Sequence, residues 1–87
     1  MHMIMIRLVV PRGEQSAASD VGELLRVHFT PDDRIEHLWA RSTGGGVDLA
    51  FFLLADNEAE ALLVARAACQ RAIERTPRLA RWRLPDS

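Results

Sequence analysis

The residues best equipped for chemistry in this chain are arginines. All eleven of its basic residues are arginine, and Arg7, Arg81 and Arg83 sit at matching parity in two segments that alternate as strands do. Guanidinium groups are planar forks that bind carboxylate or phosphate through paired N–H donors, so three of them converging on one sheet face would suit an anion. Asp48 is the acid that parity places on the same face, and pairing with it or with a partner chain's acids competes with that role. His37, between Glu36 and Leu38, is the candidate general base, because an imidazole titrates near neutral pH. No second titratable group stands at a spacing that would activate it.

Other motifs carry less chemistry. Gly44-Gly45-Gly46 joins two strand patterns, with no lysine and no following helix to hold a phosphate, and reads as a hairpin connection. Asp32-Asp33 is a turn, and His2, His28 and His37 lack metal-ligand spacing, so no metal or cofactor is expected. Met1, Met3 and Met5 alternate along a strand, where packing accounts for them. Cys69 lies in a helical apolar stripe and has no partner for a disulfide or zinc site. Arg12-Gly13-Glu14-Gln15-Ser16 is a strand-to-helix loop whose amides offer a secondary anion candidate.

Eleven basic residues against twelve acidic ones leave a net charge of −1, which disfavours nucleic acid as a partner. The charge is unevenly spread, since residues 66–83 carry six arginines against Glu74 alone. The chain lacks the exposed aromatic pairs of RNA-binding sheets. No segment approaches the ~20 apolar residues of a membrane span, and the N-terminus does not read as a secretory signal. With one cysteine, a soluble cytoplasmic protein is the expectation.

These candidates need elements to position them. Ile4, Ile6, Leu8 and Val10 alternate with Met3, Met5, Arg7 and Val9 in a first strand that is apolar on both faces up to Arg7, as a central strand would be. Helical spacing follows from Ser16 to about Phe29, through Ala17, Val21, Leu24, Leu25 and His28. A turn at Thr30-Pro31-Asp32-Asp33 leads into a second strand over 34–41, and Val47–Leu54 forms a third, the most hydrophobic of all. A second helix begins with Asn57 as N-cap and Glu60 at N3, buries Leu62, Ala65, Cys69, Ala72 and Ile73, and stops at Pro77. Residues 78–84 alternate again as a fourth strand, sending Ala80, Trp82 and Leu84 inward, before Pro85-Asp86-Ser87.

The order β-α-β-β-α-β over residues 1–87 predicts one α+β domain of ferredoxin-like type, with a four-stranded antiparallel sheet in order 4-1-3-2 and both helices on one face. Pairing Ile4 with Leu53, Ile6 with Phe51 and Leu8 with Leu49 gives a wholly apolar core face. The opposite, helix-free face collects Met5, Phe52 and Leu54, too apolar to meet water without a reason, and predicts a dimer interface there. The second strand divides into Ile35, His37, Trp39 and Arg41 on one side and Glu36, Leu38 and Ala40 on the other. Ile35 and Trp39 suggest that the first set is buried.

Asp20-Val21-Gly22-Glu23-Leu24-Leu25-Arg26-Val27 resembles the lead-in of the small-molecule-binding ACT regulatory domains, which share this element order. In that family the glycine directly follows the first strand. Gly22 stands twelve residues past Val10, so the family's ligand contact does not transfer. The expectation is a small non-catalytic binding or interaction module, regulatory or scaffolding, that forms a homodimer or meets a protein partner and has room for a small anion. The alternative is a cofactor-free dimeric α+β-barrel enzyme, monooxygenase- or isomerase-like, acting on an apolar or aromatic acid.

Overall fold

The computed structural model describes residues 1–11 and 18–84. Strand β1 spans His2–Val9, helix α1 Ala18–Arg26, β2 Ile35–Thr43, β3 Gly46–Leu53 and helix α2 Glu58–Glu74. Single 3-10 turns at Pro31–Asp33 and Pro77–Leu79 complete the elements. The expected start of the first helix at Ser16, the loop Arg12–Ser16 and the closing Pro85-Asp86-Ser87 lie outside the described residues.

The sheet is antiparallel, three-stranded and ordered β1-β3-β2. Its core face is built in rows: Ile4, Phe51 and Leu38 lie abreast, followed by Ile6, Leu49 and Ala40. Phe51, Leu8, Leu49 and Leu53 are wholly enclosed beneath the helices. Burial of this kind removes apolar surface from water at roughly 25 cal/mol per Å2, the main force holding so short a chain together. The parity of β1 and β3 is as expected, but the register differs by two residues: Ile4 faces Phe51, and Leu8 faces Val47. The tight turn at Gly44-Gly45 lets β2 and β3 run on to Thr43 and Gly46, so that Val9 of β1 lies opposite Gly46.

Strand β2 corrects the expected burial. Leu38 is buried and Trp39 is 68% exposed. The cause is a β-bulge between Ile35 and His37, where Glu36 has no partner on β3. One extra residue changes the phase, so Ile35, Leu38 and Ala40 all turn to the core while His37, Trp39 and Arg41 turn away.

Both helices use small residues to approach the sheet. In α1, Val21 and Leu25 are enclosed, and the buried Gly22 brings the helix close to Ala40 of β2. In α2 the Asn57 side chain accepts the Glu60 N–H at 2.8 Å, the expected cap. The buried stripe of α2 is Ala61, Ala65, Ala68, Cys69, Ala72 and Ile73. Leu62, expected inside, is 38% exposed, and the neighbouring Leu63 is 70% exposed.

Residues 78–84 do not form the expected fourth strand. Trp82 is buried and Leu84 packs on the core, but Ala80 is exposed, and the segment meets β1 only through a bridge between Val9 and Arg83. Val9 N–H donates to the Arg83 carbonyl at 2.9 Å, and Arg83 N–H donates back at 3.3 Å. Extending that ladder would require hydrogen-bonded pairs between Arg7 and residue 85 and between residue 11 and Arg81. Both partners are prolines in the sequence and carry no N–H to give. Among the described residues β1 is therefore an edge strand for most of its length rather than a central one.

Candidate functional site

The helix-free face of the sheet holds most of the residues singled out in the sequence, arranged as rows across β1, β3 and β2. From one end they read Met3–Phe52–His37, Met5–Ala50–Trp39, Arg7–Asp48–Arg41 and Val9–Gly46–Thr43. The first two rows are apolar and aromatic, and the third is charged. Met3, Met5, Val9 and Trp39 are all exposed. Leu54, one residue beyond β3, continues the parity of Phe52 and is also exposed, while its N–H donates to the Arg34 carbonyl.

The charged row is an acid between two bases. Arg7 Nε donates to Asp48 Oδ1 at 3.0 Å and Arg7 Nη2 to Thr43 Oγ1 at 3.2 Å. Arg41 Nη2 stands 3.7 Å from Asp48 Oδ2. Arginine side chains this exposed gain little net stability from pairing, so the row serves to orient guanidinium groups more than to hold the sheet together. The two-residue register difference creates it, because it moves Asp48 from its expected place beside Val9 to one beside Arg7.

The three arginines of the expected anion site occupy different settings. Arg7 belongs to the charged row; Arg83 stands opposite Val9, one row further along; Arg81 lies in the turn after Pro77–Leu79. Arg41 and Trp39 join the face instead, and sequence reasoning missed both because it assigned their side of β2 to the core. The signal available was the pair Ile35 and Leu38, two apolar residues three apart in a strand, which strict alternation cannot bury together.

Ala50 is the smallest side chain in the middle of the face. Flanked by Met5 and Trp39, it floors an open hollow of about 430 Å3 that Arg41 and Asp48 close at one end. His37 is exposed and sits edge-on to Phe52, with ring centroids 6.5 Å apart. Among the described residues, no group of three or more His, Cys, Asp or Glu side chains is placed to hold a metal ion. No described helix is long and apolar enough to cross a membrane. Comparison with known proteins finds no family model, curated relative or solved structure that matches the chain.

Proposed function

We propose that this protein is a non-catalytic interaction module, regulatory or scaffolding, that associates with a second copy of itself through the helix-free sheet face around Met5, Phe52 and Leu54. The observation that carries this reading is the row Met5–Ala50–Trp39, in which a large exposed indole stands beside a hollow on the same face. A knob and a hole on one surface are self-complementary under a two-fold axis, so each Trp39 can fill the other copy's hollow. Exposed tryptophan and methionine next to oriented arginines are also what interface centres are enriched in. The finer fold reading is ferredoxin-like with order 4-1-3-2. The Val9–Arg83 bridge supports it by setting residue 83 beside the last residue of β1, so the fourth position is held by that single bridge and does not reach Met3–Arg7.

The protein has two tryptophans in contrasting settings, Trp39 exposed and Trp82 buried, which makes association directly readable. Raising the concentration through the micromolar range should shift tryptophan emission to the blue while sedimentation velocity shows a dimer. Phe52→Arg should abolish the blue shift of Trp39 at every concentration with unchanged circular dichroism. A monomer at every concentration, with Trp39 emission constant and red-shifted, would overturn the reading.

A dimeric α+β-barrel enzyme acting on an aromatic acid is the second reading. It is favoured by the meeting of an indole wall with the Arg41 guanidinium at one hollow. Saturable binding of benzoate that is lost in both Trp39→Ala and Arg41→Ala would support it. Benzoate binding that is absent would remove it.

A further inference from the structure

Among the described residues the outer edge of β1 is uncovered from His2 to Leu8, where the outer edge of β2 is blocked. At Val9 both main-chain polar groups point away from β3, because they exchange hydrogen bonds with Arg83. Alternation turns those of Arg7, Met5 and Met3 the same way. Val10 N–H, which points inward to the Gly45 carbonyl at 3.2 Å, fits the same alternation. Among the described residues no strand covers this edge from His2 to Leu8. The other edge of the sheet carries a bulge at Glu36, and the Arg26 guanidinium donates to the Leu38 carbonyl. Bulges and long basic side chains are the devices by which sheets prevent pairing with other chains; the β1 edge has no bulge from Met3 to Arg7, and its one basic side chain there, Arg7, reaches inward across the sheet to Asp48 on β3.

We infer that the Met3–Arg7 edge of β1 pairs antiparallel with the same edge of a second copy, joining the two sheets into one. This interface goes beyond the face association proposed above, and it uses the main chain of Met5 rather than its side chain. Outward groups at every second residue make the edge self-complementary about Met5. With the two-fold axis there, Met5 pairs with the partner's Met5, and Met3 pairs with the partner's Arg7, once on each side.

Helix α2 supplies the argument that the occupant is a second copy rather than a foreign strand. It packs alongside β1, and Met3, Ile4 and Met5 share a groove with Glu58, Ala59 and Leu62. Four residues of helix advance about 6 Å and two residues of strand about 6.7 Å, so Glu58, Leu62 and Arg66 keep step with Met3, Met5 and Arg7. The axis that passes Met5 thus passes close to Leu62. Antiparallel pairing of the two α2 helices then sets Leu62 against the partner's Leu62, and Glu58 against the partner's Arg66, twice. The exposure of Leu62, a residue expected inside, is explained by the same contact.

Amide hydrogen exchange on the full chain reads this interface residue by residue. The N–H groups of Met3, Met5 and Arg7 should exchange at least tenfold more slowly at millimolar than at low micromolar protein, while those of Ile4 and Ile6 are protected at both. Phe52→Arg, which tests the sheet face, should leave that protection intact. Met5→Pro removes an outward donor without touching the β1–β3 ladder and should abolish it. If the proline disturbs folding, Glu58→Arg should abolish the protection and Glu58→Arg with Arg66→Glu should restore it. Amides at positions 3, 5 and 7 that stay unprotected at millimolar protein would overturn the inference. So would protection that is independent of concentration, or that appears only on adding an unrelated extended peptide.

Discussion

Arg71 on α2 donates to the carboxylate of Asp33, in the turn between α1 and β2, and so ties the helix to that turn. The same Asp33 oxygen accepts the Thr30 N–H at 2.8 Å, and Arg71 also donates to the His28 carbonyl at 3.2 Å. Asp33 is buried, and Arg71 Nε is enclosed with no hydrogen-bond partner among the described residues. Asp33→Ala should therefore cost about 2 kcal/mol, because it strands a partly buried guanidinium and uncaps Thr30. Arg71→Ala alone should cost less, and a double-mutant cycle by urea unfolding should give a coupling above ~1 kcal/mol. Additive losses would mean that the pair contributes nothing as a pair.

The three consecutive glycines should respond differently to alanine. A Cβ on Gly46 would lie 2.6 Å from the Leu8 carbonyl oxygen, a backbone atom that cannot give way without disturbing the β1–β3 ladder. Gly45 holds φ at +84° with open space around it, and Gly44 has neither restriction. Gly46→Ala should be the most damaging, at about 2–3 kcal/mol, and Gly45→Ala should cost about 1 kcal/mol in backbone strain. Gly44→Ala should be neutral or slightly stabilising, because it narrows the unfolded ensemble. Thermal melts of the three variants check the order.

Alternation alone was enough to read the core face of β1 and β3, since Ile4, Ile6 and Leu8 are buried and Met3, Met5 and Arg7 are not. It left the register open, because a slip of two residues still sets apolar side chains against apolar ones. The tie is broken by the Arg7–Asp48 pairing and by the closeness of Gly46 to Leu8, both of them contacts across the sheet. Residues 78–84 alternate as a strand does, but among the described residues only Arg83 pairs with β1, and the prolines at 11 and 85 that bear on this count only once the register is known. Of the candidate face, Met5 and Phe52 were legible from parity, but Trp39 and Arg41 were hidden by the bulge.

The bulge itself is testable by deletion. Without Glu36, Ile35 stays opposite Leu53 and His37 opposite Phe52, and the ladder closes over the gap. Deleting Glu36 should keep the fold within about 1 kcal/mol. Deleting Leu38 keeps the same strand length but draws His37 into the slot opposite Phe51, leaving an imidazole in the core, and should cost about 3 kcal/mol or more. Equal stabilities for the two deletions in urea would show that the bulge does not set the phase of β2.

Cys69 supplies a pH-dependent prediction. Its thiol is fully enclosed in the core, and burial pushes it from the ordinary value of 9.0 up to about 12, against a smaller opposing pull from the Arg66 charge. Between those two values the unfolded chain releases the thiol proton and the native chain keeps it. The unfolded state then binds fewer protons, so Cys69 should lower stability as pH rises above 9, by up to about 1.4 kcal/mol per pH unit. Cys69→Ala should be less stable than the parent at pH 7, where it leaves a small cavity, and should close that gap as pH rises towards 10.5. Urea unfolding at pH 7, 9 and 10.5 measures the difference. Ellman's reagent should react with the native thiol only as fast as the chain opens, and a native-state rate equal to that of a free thiol at pH 8 would show that Cys69 is not enclosed.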